Sequence, residues 1–206
     1  WRHEMLIDFS IKNYRSIKDE VVFTMLPEKK IKDSDNLLIE TGIAKVPKLQ
    51  KLAIIYGANA SGKSNLLSAM RIMRNIIIGS ARDSVKSDKL PSVPFRLSLE
   101  TAEEPTVFSV QFIAEGVRYH YGFVYNEDRI IEEFLDAYPK GFKQSWFERK
   151  WNEGAYTYSF SPSFSGEKEQ IKQRTRDNTL FLSKSIDDNN KMLEPVWNWF
   201  RNLSVK

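Results

Sequence analysis

The chain has 206 residues, no cysteine, and 31 Lys and Arg against 27 Asp and Glu, which gives a formal net charge of +4. This length is sufficient for one domain with its own core, and a hydrophobic fraction of 41% argues against wholesale disorder. Without cysteine the chain has no disulfide, no cysteine-ligated zinc and no thiol nucleophile. The mild positive charge permits a polyanionic partner without requiring one, because acids are interleaved with the basic residues.

The sequence shows no sign of a membrane segment. No apolar run reaches the roughly 20 residues that a spanning helix needs, and residues 1–4 lack the apolar stretch of a signal peptide. We therefore expect a cytoplasmic protein with no membrane partner. Because Met5 resembles a native start, we interpret residues 1–4 as the remnant of a tag.

The predicted elements begin with strands over residues 5–14 and 20–25, followed by a mostly irregular stretch over 27–50. Residues 52–56 form a continuous apolar run, which predicts a short strand buried on both faces. Helical periodicity follows over residues 63–78. The run 52–56 and this helix, which ends near Gly79, form one predicted unit over residues 52–79.

The middle of the chain alternates apolar and polar residues with a period of two. This pattern, with turn residues between the runs, predicts an antiparallel meander within residues 93–160. Apolar residues at helical spacing then predict a helical segment over residues 188–203. One short helix cannot bury Trp197, Trp199 and Phe200 together, so we expect them to form a face for another part of the protein or for a partner.

One motif in the sequence predicts a binding site. Gly57–Ser64 reads Gly-Ala-Asn-Ala-Ser-Gly-Lys-Ser and fits the phosphate-binding loop G-x-x-x-x-G-K-[ST], the P-loop, between a predicted strand and a predicted helix. Glycines let the backbone approach a phosphate, and the amide N–H groups and the helix N-terminus attract it. Lys63 is the predicted catalytic cation at the β- and γ-phosphates, and Ser64 the predicted Mg²⁺ ligand. The loop residues predicted to bind nucleotide are Gly57, Ala58, Asn59, Ala60, Ser61, Gly62, Lys63, Ser64 and Asn65.

A second motif, Lys12-Asn13-Tyr14-Arg15-Ser16, follows the first strand. Together with the P-loop variant it resembles the ABC-type ATPase heads of the SMC, RecF and OLD kind, and more closely the AAA family ATPases of bacterial phage-defence operons. Residues 178–183 and 196–200 also resemble that group. The resemblance implies an α/β P-loop NTPase fold, with residues 5–206 as the N-terminal lobe of an ABC-type head built on a mostly antiparallel sheet.

The same resemblance implies roles and partners. By position, Asn13, Arg15 and Ser16 would contact ribose or phosphate, although Arg15 is also consistent with a surface arginine at a strand end. Mg-ATP would bind at residues 57–64, and two heads would enclose two nucleotides as a homo-oligomer. Closure of the heads would control an effector, a nuclease or a toxin, in anti-phage defence. Two alternatives stay open: a DNA-repair or DNA-binding head of the SMC or RecF type, and a non-catalytic nucleotide-binding interaction module.

Hydrolysis in this class also needs a Walker B strand ending in acids and a signature loop. Residues 37–40, 163–168 and 180–188 are candidates, but each fits poorly, because polar residues interrupt the runs or too few apolar residues precede the acid. We therefore interpret the sequence as the N-terminal part of a longer ATPase, competent to bind ATP but with little hydrolysis of its own.

Three further residues have two interpretations each. His120 alternates within a strand, which favours a hydrogen-bonded sheet residue over a metal ligand or a base. Gln111 and Gln144 are candidates for the magnesium-sensing glutamine of ABC heads, but their strand positions favour ordinary sheet residues.

Overall fold

Seven antiparallel strands form the main sheet of this computed structural model, which describes residues 4–28, 35–59, 61–81 and 88–206. In chain order the strands are β1 (Met5–Lys12), β2 (Val21–Thr24), β3 (Leu38–Ile43), β4 (Val46–Gln50), β5 (Thr106–Ala114), β6 (Val117–Tyr125), β7 (Ile130–Tyr138), β8 (Gln144–Asn152) and β9 (Ala155–Phe160). The main sheet has the order β2-β1-β5-β6-β7-β8-β9, and β3 pairs with β4 in a separate hairpin. This confirms the predicted α/β class with a mostly antiparallel sheet.

Alternation of side chains explains the meander. In β5 and β6 the bulky residues Phe108, Phe112 and Tyr121 point to one face and are fully buried, because successive residues of a strand face opposite sides. Glu115 and Gly116, both with positive φ, form the tight turn that joins these two strands. The predicted turns therefore occur where the sequence places glycine and polar residues.

Helices cover one face of the sheet. They are α1 (Lys63–Gly79), α2 (Leu99–Ala102), α3 (Lys168–Arg174), α4 (Phe181–Asp187) and α5 (Glu194–Asn202). Apolar residues of α1, α4 and α5 join those of the sheet in a single core. The segment predicted to be helical over residues 188–203 contains a short 3-10 helix, Lys191–Leu193, followed by α5, and Asp188 lies directly after the last residue of α4.

The aromatic residues of α5 correct a prediction. Trp197, Trp199 and Phe200 are all buried, because α5 packs against α1 and also against β5. Trp199 stacks on Phe112 of the sheet with ring centroids 4.3 Å apart. These rings are core residues and do not form the exposed face that we expected.

The hairpin of β3 and β4 lies in the stretch predicted to be mostly irregular, of which residues 29–34 are outside the described part. Its Val46 and Leu49 are buried with Ile7 and Ile113 in a second, smaller core. Each strand of the hairpin carries only two or three apolar residues, which is too weak a pattern to predict a strand. Packing against the sheet supplies the rest of the stabilisation.

The apolar run before the phosphate-binding motif also differs from its prediction. Residues 52–56 are not a strand, and Leu52, Ile54 and Tyr56 are 66%, 77% and 90% exposed. Among the described residues no strand lies beside this run, so its backbone has no ladder of hydrogen bonds to join. An apolar run forms a buried strand only where neighbouring strands cover it.

A buried ion pair joins the helices to the sheet. Glu133 on β7 and Arg149 on β8 are fully buried, with 3.8 Å between Glu133 Oε2 and Arg149 Nη1. Glu133 accepts hydrogen bonds from the backbone N–H groups of Phe181 and Leu182, at 2.6 and 2.9 Å. Because these are the first N–H groups of α4, the carboxylate caps that helix.

Arg149 fixes the chain just before α4. Its guanidinium donates to the carbonyls of Thr179 and Arg176, at 2.7 and 3.0 Å, and lies 3.8 Å from the centroid of the Tyr156 ring. Residues 180–188 are mainly helical. They are therefore not a Walker B strand, in agreement with the poor fit of their sequence.

Replacing Glu133 by Gln should destabilise the protein by about 3–5 kcal/mol, because Arg149 then has no buried counter-charge. Urea denaturation followed by circular dichroism measures this. The matched control is Glu132→Gln, since Glu132 pairs with Lys150 at the surface and its side chain is 40% exposed; we expect a change below about 1 kcal/mol. Equal losses in the two variants would contradict the role given to the buried pair.

Candidate nucleotide-binding site

The phosphate-binding motif lies directly before α1, whose first residue is Lys63. Gly62 occupies the position before the helix with φ +90°, a conformation that glycine adopts without strain. Gly62 has no side chain to cap the helix, and the first turn of α1 carries no acid. The start of this 17-residue helix therefore suits an external anion. Ala60 lies outside the described residues.

Lys63 folds back over the loop. Its ammonium donates to the carbonyls of Gly57 and Ala58, at 2.8 and 2.6 Å, and lies 3.3 Å from Ser61 Oγ. The charge thus sits at the opening of the loop, where phosphate oxygens can replace the carbonyls as its partners.

Two glycines keep the loop open. A Cβ at Gly57 would lie 3.0 Å from Ser61 Oγ, and one at Gly62 would lie 3.3 Å from Ser16 Oγ. Larger residues would thus fill the space next to Lys63. Ser64 is exposed at the start of α1, where its hydroxyl can reach a cation. The residues present fit a nucleotide with Mg²⁺.

The loop after β1 lies beside the first turn of α1, and contact of its residues with a nucleotide stays a prediction. Asn65 on α1 donates to Ser16 Oγ at 2.6 Å, so Ser16 lies beside the start of the helix. Arg15 is exposed, has φ +51°, and its backbone N–H donates to the carbonyl of Val93 at 2.8 Å. Its guanidinium lies 5.5 Å from the centroid of the Tyr14 ring.

Asn13 is placed differently from its two neighbours. It is fully buried, and its side-chain N–H₂ group donates to the carbonyls of Thr101 and Glu104, at 2.9 and 2.7 Å. Its Oδ1 accepts from the backbone N–H of Phe95 at 2.9 Å. The side chain thus fixes the loop that carries Arg15 and Ser16, and its direct contact with a nucleotide stays a prediction.

Tyr14 is a residue that the sequence pattern did not single out. Its ring is fully buried, and its hydroxyl lies 2.9 Å from Ser68 Oγ on α1. Together with the pair formed by Ser16 and Asn65, this contact ties the loop after β1 to the first turns of the helix. The only signal in the sequence was that Tyr14 is itself part of the Asn-Tyr-Arg-Ser motif.

The two candidate glutamines do not join the site. Gln111 lies on the sheet face away from α1 and donates to Asp8 Oδ2 at 3.0 Å. Gln144 accepts from Trp146 Nε1 and Ser163 Oγ.

Within the described ranges, no group of three or more His, Cys, Asp and Glu residues could hold a metal ion. The candidate Mg²⁺ ligand is therefore Ser64 of the phosphate-binding motif.

Residues 52–200 match the protein family described as "AAA domain, putative AbiEii toxin, Type IV TA system". The match covers more than two thirds of the chain. The chain belongs to this family. It therefore carries an AAA-family nucleotide-binding ATPase domain, and such domains generally use ATP with Mg²⁺. The search of curated proteins returned no match.

In the parts of the chain that the structure describes, no helix combines the length and the apolar character that crossing a membrane requires.

Replacing Asn13 by Ala should leave the carbonyls of Thr101 and Glu104 and the N–H of Phe95 without their partner. We expect a loss of about 2–3 kcal/mol in unfolding free energy, measured by urea denaturation. Asn75→Ala is the control, because Asn75 is exposed on α1; its change should stay within about 0.5 kcal/mol. A loss as small as that of the control would show that these hydrogen bonds do not fix the loop.

Proposed function

We propose that the protein is a cytoplasmic, Mg-ATP-binding head of the ABC type whose nucleotide-driven pairing controls an effector in bacterial anti-phage defence. The observation that carries the nucleotide part is the sequence Gly57–Ser64 at the start of α1, with the Lys63 ammonium at the opening of the loop. The family to which the chain belongs, described by its putative toxin and Type IV TA system, supports the defence context.

The residues at this site have distinct tasks in the proposal. Backbone N–H groups of the loop and the first turn of α1 hold the phosphates, and Lys63 neutralises part of their charge. Ser64 and the phosphates would hold Mg²⁺, which neutralises charge that develops on the phosphoryl oxygens. The exposed guanidinium of Arg15 suits a phosphate oxygen, because it can donate two parallel hydrogen bonds.

The exposed run over residues 52–56 supports a second part of the proposal. Its exposed apolar side chains suit a surface that another segment or a partner covers. We propose that the acids and the signature loop needed for hydrolysis are supplied by that segment or partner, and that two heads enclose the nucleotides. The effector, a nuclease or a toxin, and nucleic acid as a partner stay predictions.

The nucleotide site is tested by titrating Mg-ATP against the wild type and Lys63→Ala in a calorimeter. We expect at least a tenfold loss of affinity, about 1.4 kcal/mol or more, because the variant lacks the only side-chain cation within the motif. Lys191→Ala, which removes an exposed lysine distant from the motif in sequence, should bind like the wild type. Equal affinity of Lys63→Ala and the wild type would refute the site.

Pairing of heads is tested by sedimentation velocity with a non-hydrolysable ATP analogue and Mg²⁺. We expect the protein to sediment as a dimer with the analogue and as a monomer with ADP. The reason is that only the analogue has a γ-phosphate that two heads can share. Ser64→Ala should pair only at higher analogue concentrations. A mass that is independent of nucleotide in the wild type would exclude nucleotide-driven pairing.

A further inference from the structure

The sheet face away from α1 carries a row of polar side chains that crosses five strands. Strand register places each member beside the next one. From β1 to β8 the row consists of Asp8, Gln111, His120, Asp136 and Ser145. The nucleotide site uses none of these residues, because it lies at the start of α1 on the other side of the sheet.

Ser109 and His120 form a short contact beside this row. Ser109 Oγ lies 2.7 Å from His120 Nε2. Ser109 is half-buried and the His120 side chain is 29% exposed, so both can be reached from solvent. A serine hydroxyl in hydrogen-bond contact with an imidazole has a base positioned to accept its proton.

Asp136 lies on the other side of the imidazole. Its Oδ2 is 3.8 Å from His120 Nδ1. The buried carboxylate is held by Lys143 Nζ at 2.8 Å and by Ser145 Oγ at 2.7 Å. A fixed negative charge next to Nδ1 favours the tautomer with its proton there, which leaves the lone pair of Nε2 facing Ser109.

The protonation state of His120 agrees with this geometry. Burial is the main cause that lowers its pKa, and the positive charges of Lys143 and Arg118 lower the pKa further, whereas Asp136 raises it. The lowered pKa favours the neutral imidazole, which is the form that a general base requires.

An apolar surface lies next to the pair. The Phe134 ring meets the His120 ring edge-on, with centroids 4.9 Å apart. It occupies the space over Gly122, where a Cβ would come within 2.7 Å of the ring. Since Gly122 is in register with both Ser109 and Phe134, the ring is close to the serine.

We propose that Ser109, His120 and Asp136 form a nucleophilic serine site that takes acyl esters with an apolar acyl group. Ser109 is the nucleophile, His120 the base, and Asp136 the residue that orients the imidazole. The Phe134 ring packs against the acyl group.

Besides the ester, the reaction needs only water. Ser109 Oγ forms a bond to the ester carbonyl carbon while its proton passes to His120 Nε2. The bond between that carbon and the alcohol oxygen breaks, and the leaving oxygen takes the proton, which releases the alcohol and leaves acylated Ser109. Water then attacks the acyl carbon with His120 as base, the acid is released, and the proton returns to Ser109.

A fluorophosphonate tests the site, because it reacts with serines that an adjacent base activates and releases fluoride. Peptide mass spectrometry locates the adduct, which we expect on Ser109. Ser109→Ala should abolish it, and His120→Gln should slow labelling by about a hundredfold or more. Ser159→Ala, an exposed serine on β9, is the matched control and should label like the wild type. Labelling spread evenly over serines, or an unchanged rate in His120→Gln, would overturn the proposal.

The pH dependence of wild-type labelling tests the base without any substitution, so it remains decisive if His120→Gln fails to fold. Because the neutral imidazole is the active form and its pKa lies below 6.5, the rate should rise with pH to a half-maximum below pH 6.5 and then stay level. A rate that increases only with hydroxide concentration, as for an ordinary serine, would exclude His120 as the base.

Discussion

The buried pair of Glu133 and Arg149 determines how the helices sit on the sheet. Two charges lose their hydration when they are buried, and hydrogen bonds to the two groups offset part of this cost. Glu133 accepts from two N–H groups of α4 and from the hydroxyl of Tyr121, while Arg149 donates to two carbonyls before α4. These bonds require one position of α4 relative to β7 and β8, so the pair fixes the arrangement of the helical layer.

The position of α4 in turn fixes one end of α1, the helix that follows the candidate phosphate-binding loop. Thr179 Oγ1 donates to the carbonyl of Ser80, and Ser183 Oγ donates to the carbonyl of Ile77, both at the C-terminal end of α1. The other end is held by the contacts that Tyr14 and Ser16 make with α1. A rigid helix with both ends held presents its N-terminal amides at a constant position, and such preorganisation lowers the entropic cost of binding a phosphate.

The sequence predicted the elements whose patterns are local. The helical period of α1, the alternation in β5 to β9 and the phosphate-binding motif depend on residues close together in the chain. The prediction for residues 52–56 was wrong because burial of a strand depends on its neighbours. The role of Asn13 was not visible either, since its partners Phe95, Thr101 and Glu104 lie more than 80 positions away. The motif indicates the candidate site, but long-range hydrogen bonds position the loop beside it.

Because successive residues of a strand face opposite sides of the sheet, neighbouring residues of β5 have different surroundings. Phe108 on β5 points into the core, where it meets the ring of Tyr14 edge-on, and Tyr14 in turn contacts α1. Its neighbour Ser109 points to the opposite face and contacts His120. One strand therefore supports the loop beside the nucleotide site with one residue and positions a polar side chain on the open face with the next. Because adjacent strands hold β5 on both sides, a small displacement of this strand would have to move both faces together.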